Sequence, residues 1–573
     1  MGDVLVNLSI GVTGHRDLIA AEEPGLREQV RTFFQQLRDD FPELELQLLT
    51  PLAEGADRLV TEVAQVMGIP FIAVLPMSQE IYEKDFDSEE SLALFQQQLG
   101  AAESVISLPP HDGIDPTYIE SYGPMRDRQY VQAGVFISNH CQVLLALWDG
   151  LEARHTGGTA DVLHYHLTGI TARSESQQES PNLLAENEND LAYHIVCSRH
   201  RDNGGLVPET ELPSVRWITA HFEPAPGDAM PAAYRQMLQR LVQFGQDKNH
   251  FSVAIDRQSH SLLSGQAGLA VPPSIMDVDR SFGAADWLAI HFRKRVSNGL
   301  LATHIVAVLM GLSFIVYSEY DGLDWLVLVF LALFFSGVAL YLWSERRQWH
   351  RKYLDYRALA EGLRVQLYWL LSGVVDTSSI EFAYDNFLQK QDVDLGWIRH
   401  VMRAASLAQD REDQPDPAWV DWVITHWVGR PGDPNGQLDY HQHKAFLKET
   451  ACRRTELLGN VSLWLGIALA VVLYVAAGLL QQSQHQILLV LMGVLPLIAA
   501  VRSAYSHQKA DKELIKQYRF MNRVFGNAHR LLSKTQDLEM KLQILRALGK
   551  AALEEHAEWI LMHRERPLEH GRL

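Results

Sequence analysis

The chain has 573 residues, 50 Lys and Arg against 70 Asp and Glu, a net charge of −20 and 47% hydrophobic residues. It is long enough for several domains, and its acidity excludes chain-wide attraction to nucleic acid phosphates, which needs clustered cations. Cys141, Cys197 and Cys452 stand far apart with no ligand spacing, so a disulfide framework and a zinc ribbon are excluded and a reducing compartment is expected.

The N-terminus carries Asp3, no basic region and too short an apolar run for a secretory signal, so this end is expected in the cytoplasm. Residues 1–225 then alternate short apolar or β-branched runs with amphipathic stretches, which predicts a Rossmann-like, doubly wound parallel sheet. Strands are expected at residues 4–12, 44–50, 69–76, 104–108, 143–148 and 193–198. Helices are expected to start near Pro24, Ala56, Ser88, Tyr130 and Gly158.

Ligands of such sheets bind beyond the carboxyl ends of the strands, where loops and helix starts present free N–H groups. Three loops have the right composition. The first strand runs into Gly11, Val12, Thr13, Gly14, His15 and Arg16, where glycine admits close backbone approach and Arg16 offers a fork for phosphate. The second runs into Glu54, Gly55 and Asp57 at a helix start, and the fifth into Trp148, Asp149 and Gly150, followed by Gly157, Gly158 and Thr159. Arg126 and Arg128, placed just ahead of a helix at Tyr130, either reach the same cleft or lie on the surface. His15 has the residue type of a general acid but reads better as a ligand contact or loop packing. His155, His164 and His166 lack tetrahedral spacing with Cys or carboxylate partners, so no metal is assigned.

Residues 226–282 read as a helical linker, 283–375 as a two-span membrane module, 376–436 as a helical and loop connector and 437–573 as a second two-span module with C-terminal helices. The spans are residues 296–318, 325–343, 457–480 and 487–501, the last needing its flanks to reach the roughly 20 residues that cross a bilayer. Arg293, Lys294, Arg295, Arg346, Arg347, Arg453, Arg454 and Arg502 border them on one side, while the hairpin connectors SEYDGLD and QQSQHQ hold no Lys or Arg. By the positive-inside rule both termini face the cytoplasm. Tyr353, Tyr356, Leu359, Leu363, Leu367 and Leu370 recur at helical spacing and need a packing partner.

The order TGHR, then EGAD opening a helix, then WDG followed by GGT resembles the SLOG superfamily, Rossmann-like domains related to LOG-type phosphoribohydrolases and to the nucleotide-sensing N-terminal region of TRPM channels. The AADWLAIHFRKR helix (284–295), a hairpin, then YLDYRALAEGLR (353–364) is similar to SLATT-type two-span effector modules, here in tandem. The resemblance implies a bacterial-type inner-membrane sensor-effector, homo-oligomeric, whose cytosolic domain binds a nucleotide or nucleotide derivative and controls the membrane helices, as a channel or membrane-perturbing effector. The alternative it leaves open is a membrane-tethered nucleotide N-glycosidase. LOG-type hydrolases carry PGGxGTxxE, however, and here Gly157, Gly158 and Thr159 continue as Ala160, Asp161, Val162 without that Glu, which disfavours hydrolysis.

Overall fold

The computed structural model describes residues 7–110, 116–151, 157–168, 190–199, 207, 212, 214–219, 229–264, 271–374, 393–405, 416–433, 436–476, 480–509 and 511–564. The chain divides into two compact units, residues 1–284 with 361–414 and residues 285–360 with 415–573.

In the first unit, strands β1 (Asn7–Gly14), β2 (Glu45–Thr50), β3 (Phe71–Leu75), β4 (Ser104–Ser107), β5 (Val143–Trp148), β6 (Leu191–Val196) and β7 (Val215–Ile218) form one sheet in the order β4-β3-β2-β1-β5-β6-β7. All neighbours are parallel except β6 and β7. The expected fold class is thus present, with boundaries moved by a few residues and with β7 added: its four residues VRWI lack the length and alternation that mark a strand in isolation.

The crossovers are helices α1 (Glu23–Asp40), α2 (Ala56–Val66), the short α3 (Gln79–Tyr82), α4 (Glu89–Gly100), α5 (Pro124–His140) and α6 (Thr159–Thr168). Helix α1 starts where Pro24 needs no N–H partner, and it buries Leu26, Val30, Phe33, Phe34 and Leu37 along one face. Phe33 stacks on Tyr193 of β6 at 4.5 Å and meets Trp217 of β7 at 6.1 Å. A second layer joins Ile137 and Cys141 at the end of α5 and Leu163 and Leu167 of α6 to Leu49, Val74, Leu144 and Ala146 of the sheet. A fully buried Phe such as Phe33 contributes about 1.5–3 kcal/mol over an exposed one.

Helices α7 (Ala232–His250) and α8 (Ser252–Gln258) follow, and α9 (Pro273–Glu319), α10 (Trp325–Arg346) and α11 (Trp349–Ser372) come next in the chain. The first unit takes in the start of α9, the end of α11 and the whole of α12 (Gly396–Ala405). Residues Gly396 to Arg403 of α12 are all buried. Trp397 meets Phe244 of α7 at 5.5 Å, and Arg403 reaches Asp190, at the amino end of β6, at 3.1 Å.

In the second unit, α13 (Pro417–Val423) continues as a wide turn, Ile424–Val428. Helices α14 (Gln437–Val475), α15 (Gln482–Gln508), α16 (Asp511–Leu532) and α17 (Leu538–Arg564) complete the chain. Among the described residues, four helices are long and apolar enough to cross a membrane: α9, α10, α14 and α15, with their continuations. The short fourth run reaches that length because its helix extends over Gln482–Gln508 on both flanks. Neither α10 nor α15 buries any residue fully, and each leaves apolar side chains such as Phe335, Leu328, Ile487 and Leu491 exposed. The spans meet at small residues: Gly311 of α9 faces Leu497 of α15, and Gly466 of α14 faces Pro496. Ser313 and Ser336 donate to the carbonyls of Leu309 and Leu333 in their own helices. These hydroxyls are satisfied locally.

Candidate functional site

Strand β1 lies between β2 and β5, and the chain leaves β1 toward β2 and leaves β5 toward β6. The two loops therefore part to opposite sides, opening a crevice at the carboxyl ends of β1 and β5. Glycine is required at two points beside it. A Cβ on Gly14 would stand 2.3 Å from Cβ of Ala56, and Gly55, at φ 78°, lies against the carbonyls of His15 and Arg16. Gly11 sits deeper, against Ile137 and Cys141 of α5, and is a packing position, while Val12 and Thr13 are buried within β1.

His15 ties the three loops together. Its N–H donates to Leu147 O at 3.2 Å, its carbonyl accepts from Ala56 at 3.0 Å, and its Nε2 accepts the Asp149 N–H at 3.1 Å. A ring nitrogen that accepts carries no proton, and burial holds the imidazole below its ordinary value despite Asp149 Oδ1 at 3.3 Å. His15 thus fastens the three loops, with burial favouring its neutral form.

Arg16 is exposed, its guanidinium 5.2 Å over the Tyr130 ring, and no hydrogen bond or ion pair engages it among the described residues. The platform under it is built from buried charge. Arg126 donates to Asp85 Oδ1 at 2.5 Å, Ile119 O at 2.6 Å, Ile81 O at 3.1 Å and Tyr130 Oη at 2.9 Å, and Tyr130 donates to Asp85 Oδ2 at 2.5 Å. The helix expected at Tyr130 begins at Pro124, so Arg126 falls in its first turn and points into the protein. Arg126 is 1% exposed and locks Tyr130 in place; Arg128 is exposed.

Asp57 lies in the first turn of α2, 5% exposed, with its Oδ1 lacking any hydrogen-bond partner. Burial pushes its carboxyl up to about 7, against the pull of Arg16 and of the Ala53 N–H. Its neighbours hold the loop. Glu54 is hydrogen-bonded to the Ser91 hydroxyl, which also accepts from Arg58 Nη1 at 2.8 Å, and Arg58 stacks 4.5 Å over Phe86. The pattern of glycines gives no hint of Arg58, Ser91 or Asp85, because their partners lie far off in sequence.

The WDG loop is tied down by its own bonds. Trp148 Nε1 donates to Leu151 O at 2.9 Å and Asp149 Oδ1 accepts the Leu151 N–H at 3.1 Å, with Gly150 at φ 79° completing the turn. His194 of β6 supports it from beneath, donating through Nε2 to Trp148 O at 2.9 Å and accepting Arg216 Nε at 3.0 Å. Beyond it, Gly157 packs on Val131 of α5, and its N–H is taken by Asp161 Oδ2 at 2.9 Å. Gly158 precedes α6 and Thr159 opens it, so the anion that faces this helix start is the chain's own Asp161. Across the crevice, Arg199 pairs with Asp17 at 3.2 Å and the Ser198 N–H donates to Glu22.

No family model, curated protein or solved structure matches the chain. What the geometry offers is specific all the same. His15 brings the first, second and fifth strand loops to one sheet edge, and the exposed Arg16 guanidinium, without a hydrogen bond or ion pair among the described residues, stands there over the Tyr130 ring. Among the described residues no group of three or more His, Cys, Asp or Glu is placed to hold a metal ion.

Proposed function

We propose that the protein is a membrane-bound sensor-effector of the SLOG and SLATT kind, in which the crevice at the ends of β1 and β5 binds a nucleotide or nucleotide derivative. The single observation that carries this is Arg16: exposed, unpaired and held over Tyr130 at the sheet edge where α/β folds take their ligands. Ligand phosphate lies on Arg16 and on backbone N–H groups near Gly14 and Gly55. The four apolar helices cross an inner, plasma-type membrane with both termini cytoplasmic, and the chain works as a homo-oligomer because their outward apolar faces need partners or lipid.

Binding without turnover is the better reading. Asp161, the carboxylate nearest the place of the hydrolase Glu, accepts its own loop's N–H, and His15 is neutral and already hydrogen-bonded. The test uses the full chain in detergent against a panel of nucleotides and nucleotide sugars, followed by thermal unfolding. A bound compound at 100 times its Kd stabilises the folded state by about 2.7 kcal/mol. The expected result is a shift with at least one phosphorylated compound, lost in Arg16→Ala; a shift unchanged in that variant places the site elsewhere.

A further inference from the structure

Several cations of the second unit are paired within the chain: Arg357 with Asp286 at 3.0 Å, Arg519 with Glu449 at 2.6 Å, Lys541 with Asp421 at 2.9 Å and Arg351 with Asp355 at 2.8 Å. Six at the ends of the apolar runs are not. Lys294, Arg346, Arg347, Arg453, Arg454 and Arg502 are exposed, and none has an ion pair or hydrogen bond to an acidic side chain among the described residues.

These unpaired cations lie at one level. Arg295 stands 5.4 Å over Trp349 and Lys352 5.1 Å over Phe292, which brings the entrance of α9 beside the exit of α10. Lys512 pairs with Glu456 at 2.8 Å, which does the same for the entrance of α14 and the exit of α15. The two hairpins run in the same sense: His304, near the start of the first span, meets Tyr505 at 5.2 Å, and Gln486, near the start of α15, donates to Glu319 O at 2.9 Å. The opposite end holds Asp321 and Asp324 and no Lys or Arg in either connector. Trp343, 52% exposed, adds an indole at the basic level, where aromatic rings favour the headgroup region.

We propose that this band of unpaired Lys and Arg is a binding surface for the phosphates of anionic phospholipids, which supply the counter-charge that these six exposed cations lack within the chain. The inference rests on the reading that the four helices span a bilayer. Each Lys or Arg at such a surface favours anionic over neutral lipid by about fivefold, and screening limits the effect to roughly 8 Å at physiological salt.

The experiment reconstitutes the full chain into phosphatidylcholine vesicles with and without phosphatidylglycerol, then reads flotation, thermal unfolding and the lipids retained after detergent extraction. Expected are flotation with both vesicles, a higher Tm with phosphatidylglycerol that falls as salt rises, and enrichment of phosphatidylglycerol among retained lipid by tenfold or more. In the variant R346Q/R347Q/R453Q/R454Q the preference drops to near one while Tm in phosphatidylcholine is unchanged. Arg519→Gln, which removes a paired cation, keeps the preference. Equal Tm and equal retention of the two lipids, a shift reproduced by inorganic phosphate without anionic lipid, or full preference in the quadruple variant overturns the inference and leaves the spanning reading intact. Failure to float with either vesicle overturns both.

Discussion

Two side chains at the crevice make opposite predictions. Arg16 is exposed and has no ion-pair partner among the described residues, so Arg16→Ala should leave Tm within the small range of surface substitutions while weakening a phosphorylated ligand. A charge-assisted contact is worth about 1.5–3 kcal/mol, so a loss of roughly tenfold or more in affinity is expected by calorimetry. Asp57 is buried and its folded value is raised to about 7 from 3.8. A raised acid favours its neutral form in the folded state, so this contribution is whole below pH 3.8 and is lost as pH rises through about 7. Asp57→Asn, which cannot ionise, should therefore lose less stability than wild type between pH 5 and pH 8; parallel Tm profiles would show that Asp57 does not titrate there. Neither behaviour is written in a glycine-rich motif. TGHR announces a loop at a sheet edge, but which of its side chains is free and which is fastened depends on Tyr130 and Asp149, which other segments bring in.

At the scale of elements, the strands that flank the crevice were legible because apolar runs of strand length ended in glycine-bearing turns, and residues 143–148 coincide with β5 to the residue. The parts that escaped are non-local. Helix α12 falls in the segment that reads as a connector, yet its polar Arg399, His400 and Arg403 are all buried in the unit that holds the sheet. The partner of Arg403, Asp190, is 213 positions away in the chain. Removing one member of a buried pair leaves an uncompensated charge, so Arg403→Ala should destabilise the protein by about 3–5 kcal/mol, read as lowered Tm and faster proteolysis of the sheet unit. The same region predicts acid lability. Burial, with Arg403 adding to it, holds His140 and His400 at about 3; burial also lowers His166. With folded values below the unfolded 6.5, their contribution is whole above about pH 6.5 and is lost as pH falls toward 3. His400→Phe should flatten that acid limb of the stability profile, and an unchanged slope would locate the acid sensitivity elsewhere.

For the whole molecule the proposal makes two linked claims, one about topology and one about coupling. The proposal puts both termini inside, so cysteine introduced at Asp321 or Gln484, exposed positions in or beside the hairpin turns, should label from outside intact cells and cysteine at Arg347 should not. Background is low because Cys141, Cys197 and Cys452 are all buried. Coupling is the stricter claim. A ligand shifts a two-state protein only by its difference in affinity for the two states, and moving the balance from 1:99 to 99:1 takes about 5.5 kcal/mol. An Arg16 contact worth about 1.5–3 kcal/mol does not reach that figure alone, so the remainder must come from other ligand groups or from several subunits switching together. The ion flux of reconstituted vesicles should then rise or fall steeply with ligand concentration, with a Hill coefficient above one. Arg16→Ala should abolish the response without altering membrane insertion, and the ligand should be recovered chemically intact. Release of a free base, with flux indifferent to every ligand tried, would instead make the crevice a hydrolytic site and the four helices an anchor.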